Sequence, residues 1–289
     1  MGERKFIYSS LAFLLCLLAY QAAPFLKRAL DSAEADQTSQ FHLVPILCFH
    51  NIDGTGPYSV SQERFRYYLE EIRNSGVRVI PLRSLVAQAR ENRLLRTPSV
   101  VITIDDDYEN IARVAAPILR EFHYPATFFF YIQDIGENPR YGTSWDDLRR
   151  LHAEGFDIQN HSYSHTAFHH ALPEETAAMY QARVDREIVL SKQIFESKIP
   201  DLDVYAFAYP MGYYSAPLRA RLMDAGYEIL LTTDARPVDL SRPFDPTFHR
   251  YTIQKYFVRD PEAMFRLQLR YATRPYEADN VARTDTGDH

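Results

Sequence analysis

Three consecutive carboxylates, Asp105-Asp106-Asp107, stand at the end of the apolar run Val100-Val101-Ile102-Thr103-Ile104. Like charges this close repel one another, and a divalent cation is the simplest group that offsets them. The bland alternative is an acidic turn that opens the next helix, where Asp is favoured. A second signal is His161-Ser162-Tyr163-Ser164-His165, whose two imidazoles share a face if the segment turns helically. Two neutral imidazoles and one carboxylate make a three-ligand site for Zn²⁺ or a similar ion, with a fourth position left to water. Such an ion lowers the pKa of water toward ~7 and supplies hydroxide at neutral pH. Taken alone, H-x-x-x-H reads as a surface pair. His50 and Tyr209-Pro210-Met211-Gly212 complete the set of reactive positions, while His169 and His170 read as loop residues.

Strands and helices must bring these residues together. Short apolar runs predict strands at Val44–Phe49, Val77–Ile80, Val100–Ile104, Ala126–Ile132, Phe156–Gln159, Val204–Tyr209, Tyr227–Thr232 and Arg250–Ile253. Helices are expected from about Ser61 to Asn74 (with Phe65, Tyr68, Leu69 and Ile72 on one face), Leu82 to Leu95, Glu109 to Phe122 and Ser144 to Gly155. Further helices are expected after Pro173, from Pro217 to Ala225 and from Pro261 to Tyr271. Strand and helix alternate six or seven times, which predicts parallel strands joined by helical crossovers. An open doubly wound sheet and a barrel both satisfy that pattern. His50, Asp105, His161 and Tyr209 all sit at expected strand ends, where parallel-sheet proteins place their sites. No Gly-rich phosphate loop follows any strand, which weakens a nucleotide-binding reading.

Composition narrows the class. The 289 residues have room for one large domain or two small ones, and 46% apolar with 24% charged residues suits a globular core. A net charge of −6 without a basic stripe argues against a nucleic-acid partner. Twenty tyrosines and 18 phenylalanines exceed what a core needs, and flat amphipathic rings also suit a sugar cleft. Tyr209, Tyr213 and Tyr163 are the substrate-binding candidates, with Tyr214 and Trp145 as further rings that can stack on sugars. Core packing is at least as good a reading for each. Cys16 and Cys48 predict no disulfide. Arg4 and Lys5 precede the 21 uncharged residues from Phe6 to Leu26, about the length that spans a bilayer. Residues 1–30 therefore read as a secretory signal or an uncleaved membrane anchor, which puts the remainder outside the cytoplasm, in a periplasm or at a cell surface. Residues 31–42 read as a linker and 273–289 as a loose polar tail. The sequence carries no signal of oligomeric state.

Thr103-Ile104-Asp105-Asp106 followed by His161-Ser-x-x-His165 resembles the polysaccharide deacetylases that share the NodB homology domain, carbohydrate esterase family 4. The resemblance covers about Val44 to Ile253 and implies a distorted (β/α)7-type barrel over residues 43–272. It implies Asp105 as general base, and Asp106, His161 and His165 as ligands of a divalent ion: Zn²⁺ first, with Co²⁺, Ni²⁺ or Fe²⁺ as alternatives. Phe207-Ala208-Tyr209-Pro210-Met211-Gly212 resembles the third motif of the family, which makes the Met211 backbone N–H the oxyanion donor. Phe49-His50-Asn51 matches the poly-N-acetylglucosamine deacetylase branch, where this histidine is the general acid. The implied substrate is an N-acetylated glycan, either an exopolysaccharide or peptidoglycan.

Three positions depart from the family pattern. Asp107 stands where a Gly is usual. Ala208 replaces an Arg that orients the base, and Arg250 is the candidate to take that part. No late Leu-x-His motif is clear, so the acid role falls to His50, with His249 as the rival. Two other functions remain open on these grounds: a non-catalytic metal-dependent glycan-binding protein, and a hydrolase of O-acetyl esters or non-sugar amides.

Overall fold

The computed structural model describes residues 39–106, 108–136, 142–253 and 260–277. The apolar segment of 1–30, residues 31–38, Asp107 and the tail beyond 277 lie outside the described residues. The chain falls into two compact units, Phe41–Pro275 and a second made of Met1–Gln40 with Tyr276–His289. In the second unit, the Tyr276 N–H donates to the Gln40 carbonyl (2.6 Å).

The larger unit, Phe41–Pro275, opens with strands β1 (Leu43–Val44), β2 (Ile46–Phe49), β3 (Arg78–Val79), β4 (Ser99–Asp105), β5 (Thr127–Phe130) and β6 (Asp157–Asn160). It continues with β7 (Ala206–Ala208), β8 (Ile229–Thr232), β9 (Val238–Asp239), β10 (Thr247–His249) and β11 (Tyr251–Thr252). The main sheet runs β10-β8-β7-β6-β5-β4-β2-β11, every pairing parallel. Because β10 and β11 are separated only by Arg250, one short stretch pairs with β8 on one side and β2 on the other. That stretch closes the sheet into a parallel, barrel-like ring with helices in the crossovers. The strand expected over Arg250–Ile253 is observed as β11, and β10, which precedes it across Arg250, is not among the expected strands.

Side chains alternate in direction along a strand, and the core splits accordingly. Leu47, Phe49, Ile102, Ile104, Phe128, Phe130, Ile158, Phe207 and Leu230 pack with the helix residues Phe65, Leu69, Leu119, Leu148 and Leu222. Their neighbours Ile46, Val101, Phe129, Ala206, Ala208, Leu231 and Phe248 form a separate cluster, joined by Leu82, Leu85 and Val86. Most helices cover the first set; the second faces the inside of the ring, where the helix Leu82–Arg90 alone among the described helices packs against it. Counting by twos along the inner set reaches His50 from Ile46, Asp105 from Val101 and Arg250 from Phe248. Three chemically active side chains are thereby aimed inward at one end of the ring.

The helices follow local chemistry, with three departures from expectation. Ser61 caps Gln62–Asn74, which buries Phe65, Tyr68, Leu69 and Ile72, and Ser144 with Asp147 forms a reciprocal capping box for Trp145–Ala153. The second helix stops at Arg90, where Asn92 turns left-handed (φ +46°), and Leu95 pairs its backbone with Phe41 instead. Ahead of Pro117 the chain widens into a π turn, Ile111–Ala115, in which the Ala116 N–H bonds the Ile111 carbonyl. Proline can neither donate nor tolerate the carbonyl four residues back, and the wider turn accommodates it. The helix expected to open at Pro173 begins at Ala177, capped by Thr176, because Glu174 is left-handed (φ +64°).

Candidate active site

Asp105 closes β4 and is 2% exposed; Arg250, on the facing inner position, is fully buried. The guanidinium donates to both carboxylate oxygens of Asp105, each at 2.7 Å, and also to the Thr103 hydroxyl (3.3 Å) and the Thr232 carbonyl (3.3 Å). Burial alone would push the Asp105 carboxyl up; the Arg250 charge overrides it, aided by His161, and holds the group well below the usual carboxylate range. Asp105 is therefore a fixed carboxylate at neutral pH. Arg250 supplies the guanidinium for which Ala208 has no side chain.

Asp106 continues the chain in a left-handed turn (φ +79°), its N–H bonded to the Phe129 carbonyl at 3.0 Å. Its Oδ1 lies 3.6 Å from His161 Nε2 and 3.2 Å from His165 Nε2, and the three ligand atoms fall within 4.8 Å of one another. His161 Nδ1 sits 2.8 Å from the Ala208 carbonyl. A carbonyl only accepts, so Nδ1 carries the proton and Nε2 turns its lone pair toward Asp106.

The two histidines do not share a helical face. Ser162 (φ +79°) and His165 (φ +55°) are left-handed, and the His165 N–H donates to the Ser162 hydroxyl at 3.0 Å, so a tight turn brings the rings to 4.7 Å between centres. Several non-glycine residues with positive φ around one cleft mark strain held by the surrounding fold.

Two neutral imidazole nitrogens and a carboxylate oxygen at this spacing fit a divalent ion. A second group, Cys48, His50 and Asp105, also comes within 4.8 Å. It fits an ion poorly, because burial pushes the Cys48 thiol up and Arg250 occupies both Asp105 oxygens.

A cavity of about 780 Å³ opens over these groups, lined by His50, Asp105, Asp106, His161, His165, Tyr209, Met211 and Tyr213. Met211 is left-handed (φ +57°) in the Pro210–Gly212 turn. Gly212 follows with φ +74°, where a Cβ would come 2.1 Å from the Thr233 hydroxyl, so only glycine fits this turn. Tyr209 is 1% exposed, whereas Tyr213 is 53% exposed at the rim. Tyr163 does not line the cavity; its ring lies under the Arg186 guanidinium at 4.2 Å. His249 faces a different cleft, with Nδ1 2.8 Å from the Thr232 hydroxyl and Nε2 3.0 Å from Arg236. Sequence reading missed Tyr58, Tyr108, Thr233, Tyr251 and Thr252, which also line the cavity. Tyr108 and Thr233 come just after β4 and β8, and Tyr251 and Thr252 form β11; proximity to a strand end is the signal that exposes them. Tyr58 sits in the loop beyond β2, where no such signal reaches.

Burial drives the His161 imidazole down to about 3, against the opposing pull of Asp105, and lowers His165 in the same direction. Both are neutral in the folded state at neutral pH. The unfolded chain takes up a proton on each near the ordinary value of 6.5. Stability of the metal-free protein should therefore fall as pH drops below 6.5, by about 1.4 kcal/mol per pH unit for each such proton. Denaturant titrations at pH 7 and 5 check this; equal unfolding free energies at both would contradict a neutral buried pair. The Asp105–Arg250 pair adds a later loss as pH falls below the unfolded carboxyl value of 3.8.

Comparison with known proteins agrees with this geometry. Residues 93–230 match the family described as polysaccharide deacetylase. The Bacillus subtilis protein YxkH, whose name assigns it to the polysaccharide deacetylases, is 20% identical over 208 residues, covering 72% of this chain and 71% of its own. The poly-beta-1,6-N-acetyl-D-glucosamine N-deacetylase of Staphylococcus epidermidis is 24% identical over 164 residues, and the match spans 54% of each chain. IcaB from Ammonifex degensii shares the fold with a TM-score of 0.68 at 20% identity, over 81% of this chain and 99% of its own. The Streptococcus pyogenes deacetylase PplD, solved with acetate, does so at 0.65 and 19%, over 78% and 97%. Over residues 93–230, just under half of its length, the chain is thus similar to the polysaccharide deacetylase family, and it shares its fold with solved deacetylases.

Proposed function

We propose that this protein removes N-acetyl groups from an N-acetylglucosamine-containing polysaccharide, using a divalent ion held by Asp106, His161 and His165. The observation that carries the reading is the convergence of those three ligand atoms beside a buried carboxylate within one cavity. When bound, the ion (Zn²⁺ by preference of the donor set) supplies Lewis acidity to the acetyl carbonyl and lowers the pKa of water. The chain's own residues do the rest. Asp105, ionised and oriented by Arg250, takes a proton from the attacking water. The Met211 N–H faces the carbonyl oxygen as charge builds there, a contact worth about 3 kcal/mol in comparable sites. His50, which lines the same cavity beside Asp105, gives a proton to the departing nitrogen, releasing acetate and a free amine. Tyr213 and Tyr209 offer ring faces to the sugar. The apolar run of residues 6–26, read as a cleaved signal or a membrane anchor, supports a location for this chemistry outside the cytoplasm.

Acetate release from N-acetylglucosamine oligomers in the presence of Zn²⁺ or Co²⁺ tests the reading, with mass spectrometry counting acetyl groups lost. His161→Ala is expected to abolish release and to reduce metal content to background by elemental analysis. Metal bound with no acetate released would favour a glycan-binding protein; release from O-acetyl esters alone would redirect the substrate class.

A further inference from the structure

Glu187 is a carboxylate that the chemistry above does not use, yet it is only 2% exposed. Its Oε2 accepts the backbone N–H groups of Tyr163 (3.1 Å) and Ser164 (2.9 Å), and Oε1 accepts the Ser164 hydroxyl (2.7 Å). All three donors lie between His161 and His165. The adjacent Arg186 covers the Tyr163 ring, so two successive residues grip the same loop by its backbone and by its side chain.

Glu187 points there because the long helical run from Ala177 to Lys198 widens into a π turn at Arg186–Leu190. A π turn inserts one residue and rotates the side chains around it, and such turns recur at functional sites. It also frees carbonyls for other donors. The Glu187 carbonyl accepts the Ser191 hydroxyl (2.6 Å), and the Ile188 carbonyl accepts the Tyr227 hydroxyl (2.7 Å). The Asn160 amide donates to both hydroxyls, while its Oδ1 accepts the Ser162 N–H (2.9 Å). The loop is thus held at its start by Asn160 and at its middle by Glu187, through one buried network.

From this network we infer that Glu187 is a positioning residue that fixes the 161–165 turn and thereby sets the affinity of Asp106, His161 and His165 for their divalent ion. The inference rests on reading those three residues as metal ligands. Left-handed Ser162 and His165 persist only while surrounding contacts hold them. The Glu187 contacts supply that restraint, and loss of outer partners of ligating residues weakens metal binding about 10- to 100-fold.

Competitive titration of Zn²⁺ against a chromophoric chelator, with Co²⁺ absorption as a second readout, tests this on wild type, Glu187→Gln and His165→Ala. The expected result is Zn²⁺ affinity about 10- to 100-fold weaker in Glu187→Gln, with altered Co²⁺ bands. If wild type binds no metal, or His165→Ala binds as tightly, the ligand reading fails and takes the inference with it. If wild type binds, His165→Ala does not, and Glu187→Gln binds like wild type, the inference alone is overturned, whatever its melting temperature. Should Glu187→Gln fail to fold, Ser164→Ala removes only the hydroxyl contact: weaker binding supports the inference and unchanged binding overturns it.

Discussion

Arg250→Leu is expected to lower folding stability by about 3–5 kcal/mol, the penalty for leaving one partner of a buried ion pair without the other. For a domain of this size, that corresponds to a melting temperature about 10 °C lower. The cost arises because Asp105 is 2% exposed and both its oxygens are taken by the guanidinium; removing the cation leaves an uncompensated carboxylate inside the ring. Arg250→Lys separates charge from geometry. A lysine ammonium keeps the cation but cannot form the two-pronged contact. Its carboxyl partner should titrate at higher pH, so the acid limb of the kcat/KM profile should move upward. The double variant Asp105→Asn with Arg250→Leu removes both charges, and should be more stable than Arg250→Leu alone. A melting temperature in Arg250→Leu equal to wild type would show that the pair contributes nothing.

The closure of the ring and the orientation of Arg250 share one cause, and it explains what the sequence could disclose. The strand ends carrying His50, Asp105 and His161 are legible because each follows a run of apolar residues. Parallel strands aim their ends to the same side. Arg250 is legible as a candidate only by its place near the last apolar run. Its inward orientation depends on β10 and β11 pairing with different partners, and strands of three and two residues leave almost no periodic trace. The two histidines illustrate a different limit. Spacing of four suggests a helix, but left-handed Ser162 and His165 bring them together in a turn that the sequence does not announce. Glu187 is less legible still. A straight helical count assigns it a direction that the π turn changes, and nothing in Arg186–Leu190 marks the extra residue. Tyr163 shows a limit of composition: an aromatic surplus suggests a sugar contact, and the structure sets the ring beneath Arg186, apart from the cavity lining.

Asp105→Asn is expected to reduce kcat on the order of 10³-fold, within the range for loss of a general base, while leaving metal content near wild type. The separation follows from the geometry. The proposed ion-binding set is Asp106, His161 and His165, and Asp105 meets it through a 3.8 Å contact to His161 Nε2. An amide keeps the shape of the carboxylate but cannot take a proton from water. It also leaves the Arg250 cation buried with a neutral partner, so thermal stability should fall alongside activity. Activity must therefore be measured well below the melting transition, and metal content determined on the same folded sample. A loss of kcat with KM and bound metal preserved assigns the base. Loss of the metal together with activity would instead make Asp105 a ligand, and activity close to wild type would remove it from the reaction. Because Arg250 depresses the Asp105 pKa so strongly, the carboxylate is a weak base by itself. Catalysis then depends on an acidified water, and wild-type activity should vanish on chelation and return with added Zn²⁺ or Co²⁺.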